Sequence, residues 1–132
     1  MIGSVGERML EIAIPYVQSW NVWYTDTGNS PAGVAPLRAR VDAACAKAGR
    51  DPASVGATVV VLVRMAGGAG RRNGDGRVDS ASIPLAGSPE LIAEGLRAYA
   101  RAGVEEVQLV VDPITLESLE GVAAALEILD RG

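Results

Sequence analysis

The residues best suited to chemistry stand at the front of the chain. Gly3-Ser4-Val5-Gly6 follows a two-residue apolar lead, Met1-Ile2, and runs into Glu7-Arg8-Met9-Leu10, which reads as the start of a helix. Strand, glycine turn and helix is the layout that offers unpaired backbone N–H groups and a positive dipole end to an anion such as a phosphate. The same letters also spell S-x-x-E, a capping box in which Ser4 and Glu7 satisfy those donors internally and no ligand is needed. The residues alone leave both readings open. A second set is aromatic: Trp20, Trp23 and Tyr24 could wall a ring-binding cleft at a strand's end, although alternation turns about half of them into packing.

A third set lies mid-chain. Asn73-Gly74-Asp75-Gly76 with Asp79 resembles a calcium loop, but it lacks the acid at the first position and the glutamate at the twelfth, so a turn is the expectation. Arg71 and Arg72 could meet a phosphate or an anionic substrate, with a surface turn the plainer reading.

Absences prune the remaining chemistry. With no histidine and a lone cysteine, Cys45, neither a zinc site nor a Ser-His or Cys-His nucleophile can be assembled from this chain. Acid–base work falls to carboxylates, tyrosine or lysine, and the only lysine, Lys47, sits late in a helical pattern where a solvated C-terminal cation is expected. No catalytic residue and no metal ligand is assigned. Sixteen acidic against twelve basic residues give a net charge of -4, which provides no basic field for nucleic acid or an anionic membrane. The longest apolar run, Val59-Val60-Val61-Leu62-Val63, is far short of the about 18 residues that a membrane span needs. The first residues lack a basic region leading an apolar one, the mark of a secretory signal, and the single cysteine suits a reducing compartment. A cytoplasmic location is the expectation.

These groups must be positioned by regular elements. At 132 residues, with 48% apolar content, the chain is expected to form a single domain, residues 1–132, with a real core. The segment 16–25, YVQSWNVWYT, reads as a strand centred on Trp20-Tyr24 and closed by Asp26-Thr27-Gly28-Asn29. Val34, Leu37, Val41, Ala44, Cys45 and Ala48 recur at helical spacing until Gly49-Arg50-Asp51-Pro52 stops them. Residues 57–65 read as a strand buried on both faces. Residues 66–87, rich in glycine and arginine, read as a loop or insertion. Ser88-Pro89-Glu90 then starts a helix, with a stripe of Leu91, Ile92, Leu96, Tyr99 and Ala100 ending at Gly103. A strand over 104–111 closes at Asp112-Pro113, and Thr115 caps a last helix with Leu116, Leu119, Val122, Ala123, Leu126 and Leu129 on one side. Two helices end in small residues and glycine, Ala46-Lys47-Ala48-Gly49 and Ala100-Arg101-Ala102-Gly103, each followed within about ten residues by a valine-rich strand. With the opening segment this makes a (βα)4 succession, hence an α/β fold with a parallel sheet and right-handed crossovers. It can be an open sheet or half of an eight-unit barrel, and the pattern alone separates neither.

GSVGERML followed by SWN, the helix ending AKAGRDPASV, the stretch PLAGSPELIAEGLRAYARAGVEEVQLVVDP and the terminal leucine-rich helix together resemble the C-terminal half of the luciferase-like monooxygenase family. The likeness covers nearly the whole chain. It implies a parallel (βα)4 half of a TIM-type (βα)8 barrel, corresponding to strands five to eight, with Met1-Ile2 as the tail of strand five. It implies a flavin- or deazaflavin-dependent oxidoreductase or monooxygenase acting on a small molecule, with FMN or an F-420-type deazaflavin as cofactor. Gly3, Ser4, Val5 and Gly6 would contact the cofactor phosphate, and Trp20, Asn21 and Trp23 would stand on the substrate side. Contacts from the first four strands are absent, so the chain is expected to be inactive alone. The alternative is a half-barrel module that pairs with itself, as a homo-oligomer, or with a separate N-terminal half, because four barrel strands leave two edges and an inner face unpaired. Two departures from the family stand out: Val17-Gln18-Ser19-Trp20 lacks an acid common before the strand-six tryptophan, and Pro15 predicts a kink or early end to the first helix.

Overall fold

A computed structural model describes residues 1–72 and 75–132. The elements run α1 (Glu7–Ala13), β1 (Ser19–Val22), α2 (Tyr24–Thr27), α3 (Val34–Lys47), β2 (Gly56–Arg64), β3 (Leu85–Ala86), α4 (Pro89–Arg101), β4 (Glu106–Asp112) and α5 (Leu116–Asp130), with 3-10 turns at Pro31–Gly33 and Pro52–Ser54. The first helix stops where Pro15 demands, Ile14 being its C-cap. Thr115 caps α5 by accepting from the Ser118 N–H. Ser88 occupies the N-cap position of α4 without bonding the backbone. Its hydroxyl instead bonds Glu90 and holds that carboxyl below its usual range.

The strands pair in parallel, and the isolated Arg72–Val78 bridge is antiparallel. Ile2 bridges Trp20 of β1, β1 pairs with the first half of β2 (Ser19 with Gly56 through Val22 with Val59), and β4 lies along the other edge of β2 (Thr58 with Glu106 through Arg64 with Asp112). A chain that adds each strand beside the last by right-handed crossovers must put its helices on one face, and they are there. Leu10 and Ile14 of α1, Val41 and Cys45 of α3, Ile92, Leu96 and Tyr99 of α4 and Ala125 of α5 meet Trp20, Val22, Ala57, Val59, Val61 and Val63 in one core. A doubly wound sheet would reverse its order and cover both faces. This sheet is instead the kind of arc found in a βα barrel.

Three expectations need correction. The first strand ends at Val22, and Tyr24 begins a short helix that turns over the sheet's other face, where it packs on Val60, Leu62 and Val110. The segment 66–87 is not wholly loop: Arg72 bridges Val78, and Leu85-Ala86 forms β3, parallel to Val63-Arg64 on the β1 edge of β2. The α5 stripe is rotated. Ser118, Val122 and Ala125 are its buried residues, leaving Leu116, Leu119 and Leu126 exposed, because α5 meets the fold chiefly through α4. The Asn73-Gly74 part of the calcium-like motif lies outside the described residues. Among the described residues, no three His, Cys, Asp or Glu side chains gather as metal ligands, and no helix is long and apolar enough to cross a membrane.

Candidate functional site

At the C-terminal end of the strands, where βα folds place their ligand sites, a cleft of about 420 Å³ is lined by Gly3, Ser4, Val5, Gly6, Asn21, Trp23 and Asp26. The glycine loop is held from behind. Ile2 exchanges backbone bonds with β1, its N–H donating to Ser19 C=O at 3.0 Å and its carbonyl accepting from Asn21 N–H at 2.8 Å. The Trp20 indole N–H donates to Ser4 C=O at 2.9 Å, and Arg40 donates to Val5 C=O at 3.2 Å. Protein groups therefore consume the Ser4 and Val5 carbonyls, and the Gly6 carbonyl accepts the Leu10 N–H of α1 at 3.0 Å. The loop's donors are treated differently: the Gly6 N–H has only a long 3.3 Å bond to Ser4 Oγ, and no backbone bond among the described residues engages the Ser4 or Val5 N–H.

The capping-box alternative does not form. The N-cap of α1 is Gly6, not Ser4, and no side chain caps the helix. Nor do the glycines answer to the chain's own geometry. Gly6 has φ -78° and ψ 129°, open to any residue, and a Cβ on it would meet nothing nearer than Ser4 Oγ at 3.8 Å. A Cβ on Gly3 would meet nothing nearer than Asn21 O at 4.0 Å. The fold leaves both spaces open, as a cradle for an approaching group would.

Asn21 and Trp23 both reach the cleft. The Thr58 hydroxyl donates to Asn21 Oδ1 at 2.8 Å, so what Asn21 can offer a ligand is its amide donors. Trp23 is 42% exposed, its ring centroid 5.1 Å from that of buried Tyr24 at a 36° tilt. Trp20, expected on the substrate side, is not brought to the cleft wall. It is 0% exposed on the helix face and acts as the anchor of the glycine loop. Strand alternation explains the split, since Trp20 and Val22 face the helices and Asn21 faces away. Arg71 and Arg72 are not in the lining either, and Arg72 donates to Gly76 C=O at 2.7 Å within its own turn.

Two residues escaped the sequence reading. Asp26, beside the Thr27-Gly28 turn, is the only charged residue among the described residues that line the cleft. Asn29, in the same segment, is a buried connector. At φ 54° it donates from Nδ2 to Leu62 C=O (2.9 Å) and Ile83 C=O (2.8 Å) and accepts the Leu62 N–H at Oδ1 (2.8 Å). It thus substitutes for a strand in the gap between β1 and β3. The Gly28-Asn29 pair was the available signal, since glycine and asparagine are the residue types that best tolerate positive φ. Cys45 is buried and its thiol is raised by desolvation, which marks it as packing rather than nucleophile.

No family model matches this sequence, and no curated protein matches it. Among solved structures the chain is similar to an F420-dependent secondary alcohol dehydrogenase in complex with an F420-acetone adduct, with a TM-score of 0.63 and 11% identity over 93% of this chain and 47% of that one. It is similar also to the coenzyme F420 dependent tetrahydromethanopterin reductase from Methanopyrus kandleri, with a TM-score of 0.63 and 14% identity over 92% of this chain and 47% of that one. The chain spans about half the length of each of these structures, and it shares the α/β fold of that half.

Proposed function

We propose that this chain forms the cofactor-phosphate side of a luciferase-like oxidoreductase that uses an F-420-type deazaflavin, as the C-terminal half-barrel of strands five to eight. The observation that carries the reading is the glycine loop: Gly3 and Gly6 have room that the fold does not use, the Ser4 and Val5 carbonyls are tied down behind them, and no protein group among the described residues takes the Ser4 and Val5 N–H donors. Gly3, Ser4, Val5 and Gly6 would hold a phosphate through the backbone, and Asn21 would donate to the ligand from the adjacent wall. A bound deazaflavin supplies hydride transfer, and the protein's part is to bind, orient and exclude water. The F420 dependence of both structural neighbours favours the deazaflavin over FMN. Ring and substrate contacts from the first four barrel strands lie outside these residues, so we expect no turnover from the 132 residues alone. Steady hydride transfer by the purified chain overturns that expectation. Titration with an F-420-type deazaflavin and with FMN, followed by cofactor absorbance, tests the reading. Saturable binding that Gly6→Ala abolishes supports it, and equal binding by Gly6→Ala sinks it.

A second reading, a half-barrel that works by pairing with another βα half, is favoured by the open edge of β4 and by the exposed Leu116, Leu119 and Leu126 of α5. Light scattering at tens of micromolar tests it, and a monodisperse monomer counts against pairing with itself.

A further inference from the structure

We propose that the part of the cleft lined by Trp23 and Asp26 recognises an organic cation, so that the small molecule taken here carries an ammonium or quaternary ammonium group. The inference rests on the cleft being the ligand site, but not on which cofactor occupies the loop. Asp26 is the one charged side chain in the lining, no basic residue accompanies it, and none of the salt bridges among the described residues involves it. Arg40, which bonds the glycine loop, is committed to the Val5 carbonyl and lines a different groove with Lys47, Glu7 and Glu11. A carboxylate without a counter-charge repels an anion from this wall and attracts a cation to it.

The second element is Trp23, three residues before Asp26 on the same turn and on the same cleft. Trp23 is partly exposed while its neighbour Tyr24 is buried against the sheet, and the 5.1 Å ring contact braces it. A braced, partly exposed indole lining the same cleft as a carboxylate is a pairing that attracts alkylammonium groups, through the negative face of the ring and the full charge of the acid. Trp20 takes no part, since it is fully buried behind the loop.

The test uses tetramethylammonium chloride as probe, against sodium chloride at the same ionic strength, read by tryptophan fluorescence and by the indole N–H resonances of Trp20 and Trp23. Saturable quenching is expected, with the Trp23 resonance moving and that of Trp20 still. Asp26→Asn and Trp23→Leu should each raise the dissociation constant by about twofold to fivefold, the scale of an exposed ion pair or cation–π contact. Trp23→Phe, which keeps an aromatic face, should retain part of the binding. The fluorescence readout is confined to Asp26→Asn. The Trp23 variants are followed by the probe's own NMR line width, with circular dichroism showing that each remains folded. No response to tetramethylammonium in the folded wild type, or a response that Asp26→Asn leaves unchanged, overturns the proposal. Cation binding with no cofactor binding would sink the deazaflavin reading alone, and cofactor binding with no cation binding would sink this one alone.

Discussion

The two faces of the sheet share their strands and differ in what completes them. Against the helices, β2 presents Ala57, Val59, Val61 and Val63, and every register partner there is apolar: Trp20, Val22, Val107, Leu109, Val111 and Leu85. Away from the helices it presents Thr58, Val60, Leu62 and Arg64, partnered by Asn21, Glu106, Gln108, Val110 and Asp112. There only Tyr24 covers the centre, a small cluster with Val60, Leu62 and Val110, and the polar rows run out at both ends. One face is finished by burial. The other is finished by specific bonds, Thr58 to Asn21 and Asn29 to Leu62, and it leads up to the cleft. In this fold the packed face and the face that leads to the cleft are separated by the period of two.

The sharpest way to break that contrast is to cut the finished face. Trp20→Ala should cost about 3–5 kcal/mol in urea unfolding, the scale for deleting a buried aromatic, and should free the glycine loop as well. Trp20→Phe should keep most of the stability and lose only the bond to Ser4, so that ligand binding suffers more than folding does. On the opposite face Asn29→Ala should cost about 2–3 kcal/mol, because it leaves the Leu62 N–H and C=O unpaired and puts a Cβ residue at positive φ without local bonds. Asn29→Gly should recover the backbone part alone. A cost for Asn29→Ala below the error of the measurement would mean that the gap between β1 and β3 needs no filler.

A smaller effect tests how dry the helix face is. The Tyr99 hydroxyl, fully buried there, has no protein partner among the described residues, and burial pushes its phenol up to about 12. The neutral form is the one folding favours. Its contribution is complete below the unfolded value of 10.0 and is lost as pH rises through about 12. Alkaline unfolding should therefore set in between these values and be weaker in Tyr99→Phe, whose stability at pH 7 should lie within about 1 kcal/mol of wild type. Smallest of all should be Gly6→Ala: a stability change of no more than about 1 kcal/mol, in either direction, with ligand binding lost. That pairing of an unaffected fold with a lost ligand is what separates a cradle from a turn.

Much of the finished face was legible from local pattern. The valine run of β2, the helical spacing of Val34 to Ala48, the Ser88-Pro89 and Thr115 starts and the stop at Pro15 each follow from propensities that act within a few residues. The site was legible in part. The glycine loop, Asn21 and Trp23 were picked out and do line one cleft, whereas Trp20 was misplaced and Asp26 and Asn29 were passed over as turn residues. The α5 stripe failed for a related reason: Leu116, Leu119, Val122 and Leu126 are all apolar, and periodicity alone does not say which side of a wide stripe meets α4.

By itself the sequence determined the type and order of the long helices and of β2 and β4, and hence a parallel α/β arrangement, since helix starts, glycine stops and apolar runs are short-range physics. Tertiary structure decided the rest. Alternation says that Trp20 and Asn21 point opposite ways, but only the register of Ser19 on Gly56, together with helices gathered on one face, says which of them is buried and which lines the cleft. Asn29 bonds Leu62 and Ile83, partners 33 and 54 residues away, and no local rule reaches that far.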